Sequence, residues 1–118
     1  MDIPQRRAGT ALILSPQKPL MIGGTAEEFE RTVQRLLTEG EQDLVVDLTA
    51  VPHLDSTGIR ALIRGHTSAA RMSAHFRVAC PQPRVSTMFR ITRLDTVFVI
   101  LDAEALRRLG DANQPAQP

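Results

Sequence analysis

The chain has 118 residues, enough for one contiguous core and too few for two. Apolar residues make up 42% of it, which excludes a disordered chain. With four Phe, no Trp and no Tyr, the core is aliphatic and no aromatic platform is available for stacking bases. The net charge of +1 hides a segregation. Residues 56–94 carry seven arginines (Arg60, Arg64, Arg71, Arg77, Arg84, Arg90 and Arg93) and no Asp or Glu, whereas acidic residues outnumber basic ones over 26–55. A basic surface beside an acidic one steers a charged partner.

Residues 1–9 read as a flexible polar lead. Residues 10–15 (TALILS) form a short apolar run of strand type, broken by Pro16 and Pro19. Leu20 to Ile22 reads as a second short strand, stopped by Gly23-Gly24. Thr25-Ala26-Glu27-Glu28 then has the form of a capping box. Phe29, Val33, Leu36 and Leu37 follow on one helical face, and Gly40 stands where a left-handed cap belongs.

Residues 43–48 (DLVVDL) are too short for a helix and read as a buried strand. After a loop, Ser56 opens a second helix, with Ile59, Leu62, Ile63 and Ala70 predicted inward. Residues 75–80 (HFRVAC) predict a strand with Phe76, Val78 and Cys80 on one face. A third helix follows over 84–91, burying Val85, Met88 and Phe89, and residues 97–101 (VFVIL) form the next strand. Asp102 caps a last short helix with Ala105, Leu106 and Leu109 inward. Residues 110–118 (GDANQPAQP) are disordered by composition. Strands alternating with helices imply strand–helix–strand units and a mixed, largely parallel sheet of four or five strands.

No run approaches the roughly 20 apolar residues of a membrane span. No secretory leader is visible, and Cys80 is the single cysteine. A reducing cytoplasm is the expected location. His53, His66 and His75 lack ligand spacing, so no metal or other cofactor is expected. Ser56 with His53 or His66 and Asp47 or Asp55 has the residue types of a hydrolytic triad. However, Gly-x-Ser-x-Gly is absent, and His66 lies about 15 Å along the same helix at ~1.5 Å per residue. An enzyme is therefore not expected.

The most informative stretch is residues 44–62, LVVDLTAVPHLDSTGIRAL, in which a buried strand runs through a loop into Asp55-Ser56-Thr57-Gly58 and an amphipathic helix. This resembles the signature of the STAS family, of the anti-sigma factor antagonist type. The following FRVAC-P strand, and Thr92, Leu94 and Asp95 before the last strand, reproduce the family's later order. The resemblance covers about residues 43–109, within a STAS-like domain expected over 10–109. Residues 16–24 (PQKPLMIGG) lack the acidic turn residue that family members usually carry there.

The resemblance implies an α/β STAS-like fold with helices mainly on one face of the sheet. It implies a protein-binding module, with Ser56 as the phosphorylation site and Thr57 as a weaker alternative. Asp55, Ser56, Thr57, Gly58 and Arg60 are the partner-binding residues implied. The partner would be an anti-sigma factor with serine kinase activity. Alternatively, the chain would be a STAS subunit stably bound to the ATPase of a lipid-transport ABC system. Direct binding to nucleic acid or insertion into a membrane is not expected.

Overall fold

The computed structural model describes residues 3–111. Its elements in chain order are β1 (Gln5–Ala8), β2 (Ala11–Leu14), α1 (Thr25–Thr38), β3 (Asp43–Asp47), α2 (Ser56–Arg71), β4 (His75–Ala79), α3 (Pro83–Ile91), a 3-10 turn (Leu94–Thr96), β5 (Val99–Leu101) and α4 (Ala103–Asp111). The strands form one sheet in the order β1-β2-β3-β4-β5. β1 is antiparallel to β2, and every other pair is parallel. This is the mixed, largely parallel α/β sheet that the sequence predicts.

Residue alternation along the strands splits the interior in two. Leu12, Leu14, Leu44, Val46, Phe76 and Val78 face α1, α2 and α3 and make the main core with Phe29, Val33, Leu62, Val85 and Phe89. Ile13, Val45 and Ala79 face the other way, beneath Leu106 of α4. Three helices thus share one face, and α4 alone covers part of the other.

Several expectations are corrected. The lead is not wholly flexible: β1 pairs Gln5 with Leu14 and Ala8 with Ala11 across a two-residue turn in which Gly9 has φ 64. Its polar sequence QRRA hides it, because an edge strand needs no apolar alternation. Leu20 to Ile22 is no strand; Leu20 alone makes a parallel bridge to Leu54. At α1 the cap is Gly24, whose amide donates to Glu27 Oε1 at 2.9 Å, while the Thr25 hydroxyl turns back to Met21.

On α2 the buried line is Gly58, Ala61, Leu62, Gly65 and Ala69, whereas Ile63 and Ala70 are exposed. Small residues line the buried face because the helix lies close to the sheet. A Cβ on Gly65 would come 2.7 Å from Cε2 of Phe76. Cys80 falls just past β4 with φ 54 and packs with the α4-side cluster, not with Phe76 and Val78. Burial pushes its thiol pKa up. Gly110 and Asp111 continue α4, and the rest of the predicted tail lies outside the described residues. Among the described residues, no helix is long and apolar enough to cross a membrane.

Candidate functional site

The loop from β3 to α2 is pinned along its length. Asp47 Oδ1 accepts from the Thr49 amide (3.0 Å) and hydroxyl (2.5 Å), and the Gln82 side chain donates to the Thr49 carbonyl (2.7 Å). Val51 and Leu54 are buried. The loop therefore delivers Asp55 to a fixed place beside Leu20, with the Asp55 amide donating to the Leu20 carbonyl at 3.3 Å.

Asp55, not Ser56, caps α2. Its φ and ψ of −97 and −173 are extended, and Oδ1 accepts from the Gly58 amide at 2.9 Å. The second oxygen, Oδ2, accepts from the Ile22 amide at 2.9 Å. One carboxylate thus ties the turn before α1 to the start of α2. The Ile22 amide first, then the Gly58 amide, hold its pKa below the usual carboxylate value. Asp and Ser both cap helices well, so local sequence does not separate them. The long-range bond to Ile22 does.

Gly58 has a packing reason. A Cβ there would lie 2.1 Å from the Leu20 carbonyl oxygen, so only glycine lets the first turn of α2 pass beneath that segment. Gly23 and Gly24, at φ 105 and 137, supply the positive-φ turn that carries the chain from Ile22 into α1. These contacts fix which of the candidate residues reach solvent. Ser56 and Arg60 are exposed, Asp55 and Thr57 are half-buried and Gly58 is buried. Arg60, one turn after Ser56, has no ion-pair partner among the described residues. Ile63 continues the same stripe at i+7 and is 37% exposed.

The sequence reading missed Ile22. It is 71% exposed although large and apolar, and its backbone is held against Asp55. The only signal for it was an apolar residue running straight into Gly-Gly. Two of the triad candidates, Asp55 and His66, are engaged elsewhere. Both Asp55 oxygens are taken by backbone amides, and the His66 ring packs edge-on to Phe98 and Phe76, with centroids 5.8 and 6.5 Å away.

This arrangement separates the two residues by their stability effects. Ser56→Ala is expected to change unfolding stability by less than about 0.5 kcal/mol, as for an ordinary surface position. Asp55→Ala should lose clearly more, because both tied amides are released. Asp55 also has a pH signature. Its folded-state pKa is depressed, so its contribution is complete above the ordinary carboxylate pKa and is lost as pH falls through the lower folded value. The gap between wild type and Asp55→Asn should therefore narrow in acid. Urea denaturation at neutral and acidic pH measures both effects. A Ser56→Ala loss equal to that of Asp55→Ala would contradict the assignment of the cap.

No curated protein sequence matches the chain. Among solved structures, a candidate anti-sigma factor antagonist from Thermotoga maritima superposes with TM-score 0.81 at 24% identity, over 91% of this chain and 93% of that one. An anti-sigma factor antagonist from Mycobacterium paratuberculosis gives TM-score 0.73 at 21% identity, over 92% of each chain. The Bacillus antagonist SpoIIAA gives 0.71 at 13% identity in both its unphosphorylated and phosphorylated forms, over 92% of this chain and 97% and 99% of those. At these identities the likeness is one of fold. The family model for the STAS domain matches residues 2–107, nearly the whole chain, and with the Asp55-Ser56-Thr57-Gly58 helix start it shows that the chain belongs to the STAS domain family.

Proposed function

We propose that the chain is an anti-sigma factor antagonist of the cytoplasm, a binding module that performs no chemistry of its own. Unphosphorylated, it binds an anti-sigma factor with serine kinase activity and so frees a sigma factor. Phosphorylated at Ser56, it lets go. The observation that carries this reading is the construction of the α2 start. Asp55 and Gly58 do the structural work, and Ser56 stands exposed on the first turn, its hydroxyl without a hydrogen bond among the described residues.

The helix end suits a phosphate. The N-terminal turn of a helix presents amide hydrogens and the positive end of the dipole, so the fold tolerates an anion of about −1.5 to −2 charges there. Supporting the same reading, structural neighbours named as anti-sigma factor antagonists share the fold, and one of them is known in a phosphorylated form. The docking surface is the exposed stripe Ser56, Arg60 and Ile63 with Ile22 beside it. Asp55 and Gly58 hold that surface in place, and Thr57 borders it. Residues 16–24 lack the acidic turn residue that family members usually carry and present the exposed Ile22, so the partner needs an apolar recess at that point.

The test is phosphopeptide mapping after incubation with the anti-sigma kinase, ATP and magnesium, with affinity capture to report the partner. Phosphate is expected on Ser56 and not on Ser68, Ser73 or Ser86. Phosphate found only outside residues 56 and 57 would sink the reading. Permanent co-purification with an ABC ATPase, without phosphate, would replace it by the stable-subunit reading.

A further inference from the structure

The two faces of the sheet are covered unequally. Three helices pack on one face and are tied to their neighbours. Gln34 of α1 donates to Ser68 of α2 at 2.6 Å, Arg64 of α2 pairs with Glu30 of α1 at 2.8 Å, and Phe89 of α3 packs edge-on to Phe98 at 5.6 Å. α4 is the only helix on the other face, over Ile13, Val45 and Ala79, which are fully buried on the three inner strands.

Little attaches α4 to that face. Leu106 is its one buried side chain among the described residues, and Ala105 and Leu109 are half-buried. Ala103, Glu104, Arg107 and Arg108 are exposed. Its polar contacts close on themselves. Asp102 Oδ1 accepts from the Ala105 amide at 2.8 Å, the Asp102 carbonyl accepts from the Leu106 amide at 2.9 Å, and Glu104 pairs with Arg107 and Arg108 at 3.5 and 3.1 Å. Among the described residues, no hydrogen bond or ion pair joins α4 to another element. The seat is also imperfect. A cavity of about 240 Å³ lies between Leu109 and Ala8, Ala11, Asp43 and Arg77. Arg77, which lines it, keeps a buried Nε without a hydrogen-bond partner among the described residues, and such a donor costs the closed state stability.

We propose that α4 is a cover that opens as one unit while the sheet and α1, α2 and α3 stay folded, baring the apolar strip of Ile13, Val45 and Ala79. The cost of such an opening is set by the few contacts that break, so a weakly attached unit opens far more often than the whole chain unfolds. α4 has nine residues, too few for a helix to persist alone in water. Detachment therefore melts it, and its amides become exchangeable together. α2 and Ser56 lie on the opposite face of the sheet, so the motion is separate from the phosphorylation site.

The experiment is hydrogen exchange of the full chain under native conditions, without urea and with urea below the unfolding transition. It follows the amides of residues 106–109 and those of β3. The α4 amides are expected to exchange at least about a hundredfold faster than those of β3, with one shared opening equilibrium. Urea should speed β3 steeply and α4 little, because opening exposes much less surface than unfolding does. Leu106→Ala should speed α4 at least about tenfold, since it removes the one buried anchor. Val33→Ala, in the core on the other face, should speed β3 and leave α4 unchanged. Exchange of α4 that matches β3 in rate and urea dependence overturns the proposal, because the helix then opens only with the whole chain. So does a Val33→Ala variant that speeds both equally, or a Leu106→Ala variant that leaves α4 unchanged. Exchange graded from Leu109 back to Leu106 overturns it too, since that is fraying of an end and not release of a unit.

Discussion

Gly58→Ala is expected to destabilise the fold by about 3 kcal/mol, at the upper end of the usual cost of overpacking. The sign is the sharper part. In an ordinary helix this substitution stabilises, by about 1 kcal/mol, because alanine has the better propensity. Here the added methyl meets the Leu20 carbonyl oxygen at 2.1 Å and its carbon at 3.0 Å. Both are backbone atoms, and neither can rotate away. Leu20 is itself fixed, with its side chain 2% exposed and its backbone bridged to Leu54. Relief therefore requires α2 to lift or the 20–22 segment to move out, and either stretches the bond between Asp55 and the Ile22 amide. Gly65→Ala is the internal comparison. Its methyl meets the tip of the Phe76 ring at 2.7 Å, a side chain with some room to tilt, so its loss should be smaller. Urea denaturation of the three proteins measures this. A stabilised Gly58→Ala would mean that α2 does not pass beneath Leu20 as described.

The same contacts explain how far the sequence was legible. The alternation of strands and helices was readable because each buried strand is a short apolar run, DLVVD and HFRVA among them, flanked by turn residues. The helix start that carries the candidate site was readable because Asp-Ser-x-Gly is a local pattern. What stayed hidden depends on contacts distant in the chain. Asp55 and Ser56 are equally good caps until the Ile22 amide, 33 residues earlier, selects the aspartate. The inward face of α2 was misjudged because large apolar residues normally mark a buried face. Here Ala61, Gly65 and Ala69 are buried where the helix lies close to Phe76, and Ile63 is turned outward. β1 was missed for the opposite reason, since its polar residues suit an edge. The shortening of the last strand to Val99–Leu101 follows from the 3-10 turn at Leu94–Thr96, where the Val97 and Phe98 amides both bond back to the Leu94 carbonyl.

Phosphorylation of Ser56 is expected to weaken partner binding roughly a hundredfold at low salt, because like charges forced together at an interface cost several kcal/mol. The fold should not change. Asp55 keeps the cap whether or not its neighbour carries a phosphate, and Ser56 already faces solvent. Circular dichroism of the two forms should therefore superimpose. Ser56→Asp carries less charge than a phosphate, so its loss of affinity should be partial, and Ser56→Ala should bind as the wild type does. Arg60 stands one turn on and can pair with the new anion. That exposed pair is worth only about 0.5 kcal/mol, too little to cancel the repulsion. It does withdraw a cation from the docking surface, so Arg60→Ala should weaken binding of the unphosphorylated form and shrink the further loss on phosphorylation. Added salt should narrow the gap between the two forms, since these charges are at the surface. The measurement is partner affinity for each form and variant by titration calorimetry at two salt concentrations. Equal affinities for the phosphorylated and unphosphorylated chains at low salt would end the charge mechanism. A gap that survives high salt, with altered circular dichroism, would point to a moved α2 and away from a charge placed on a rigid one.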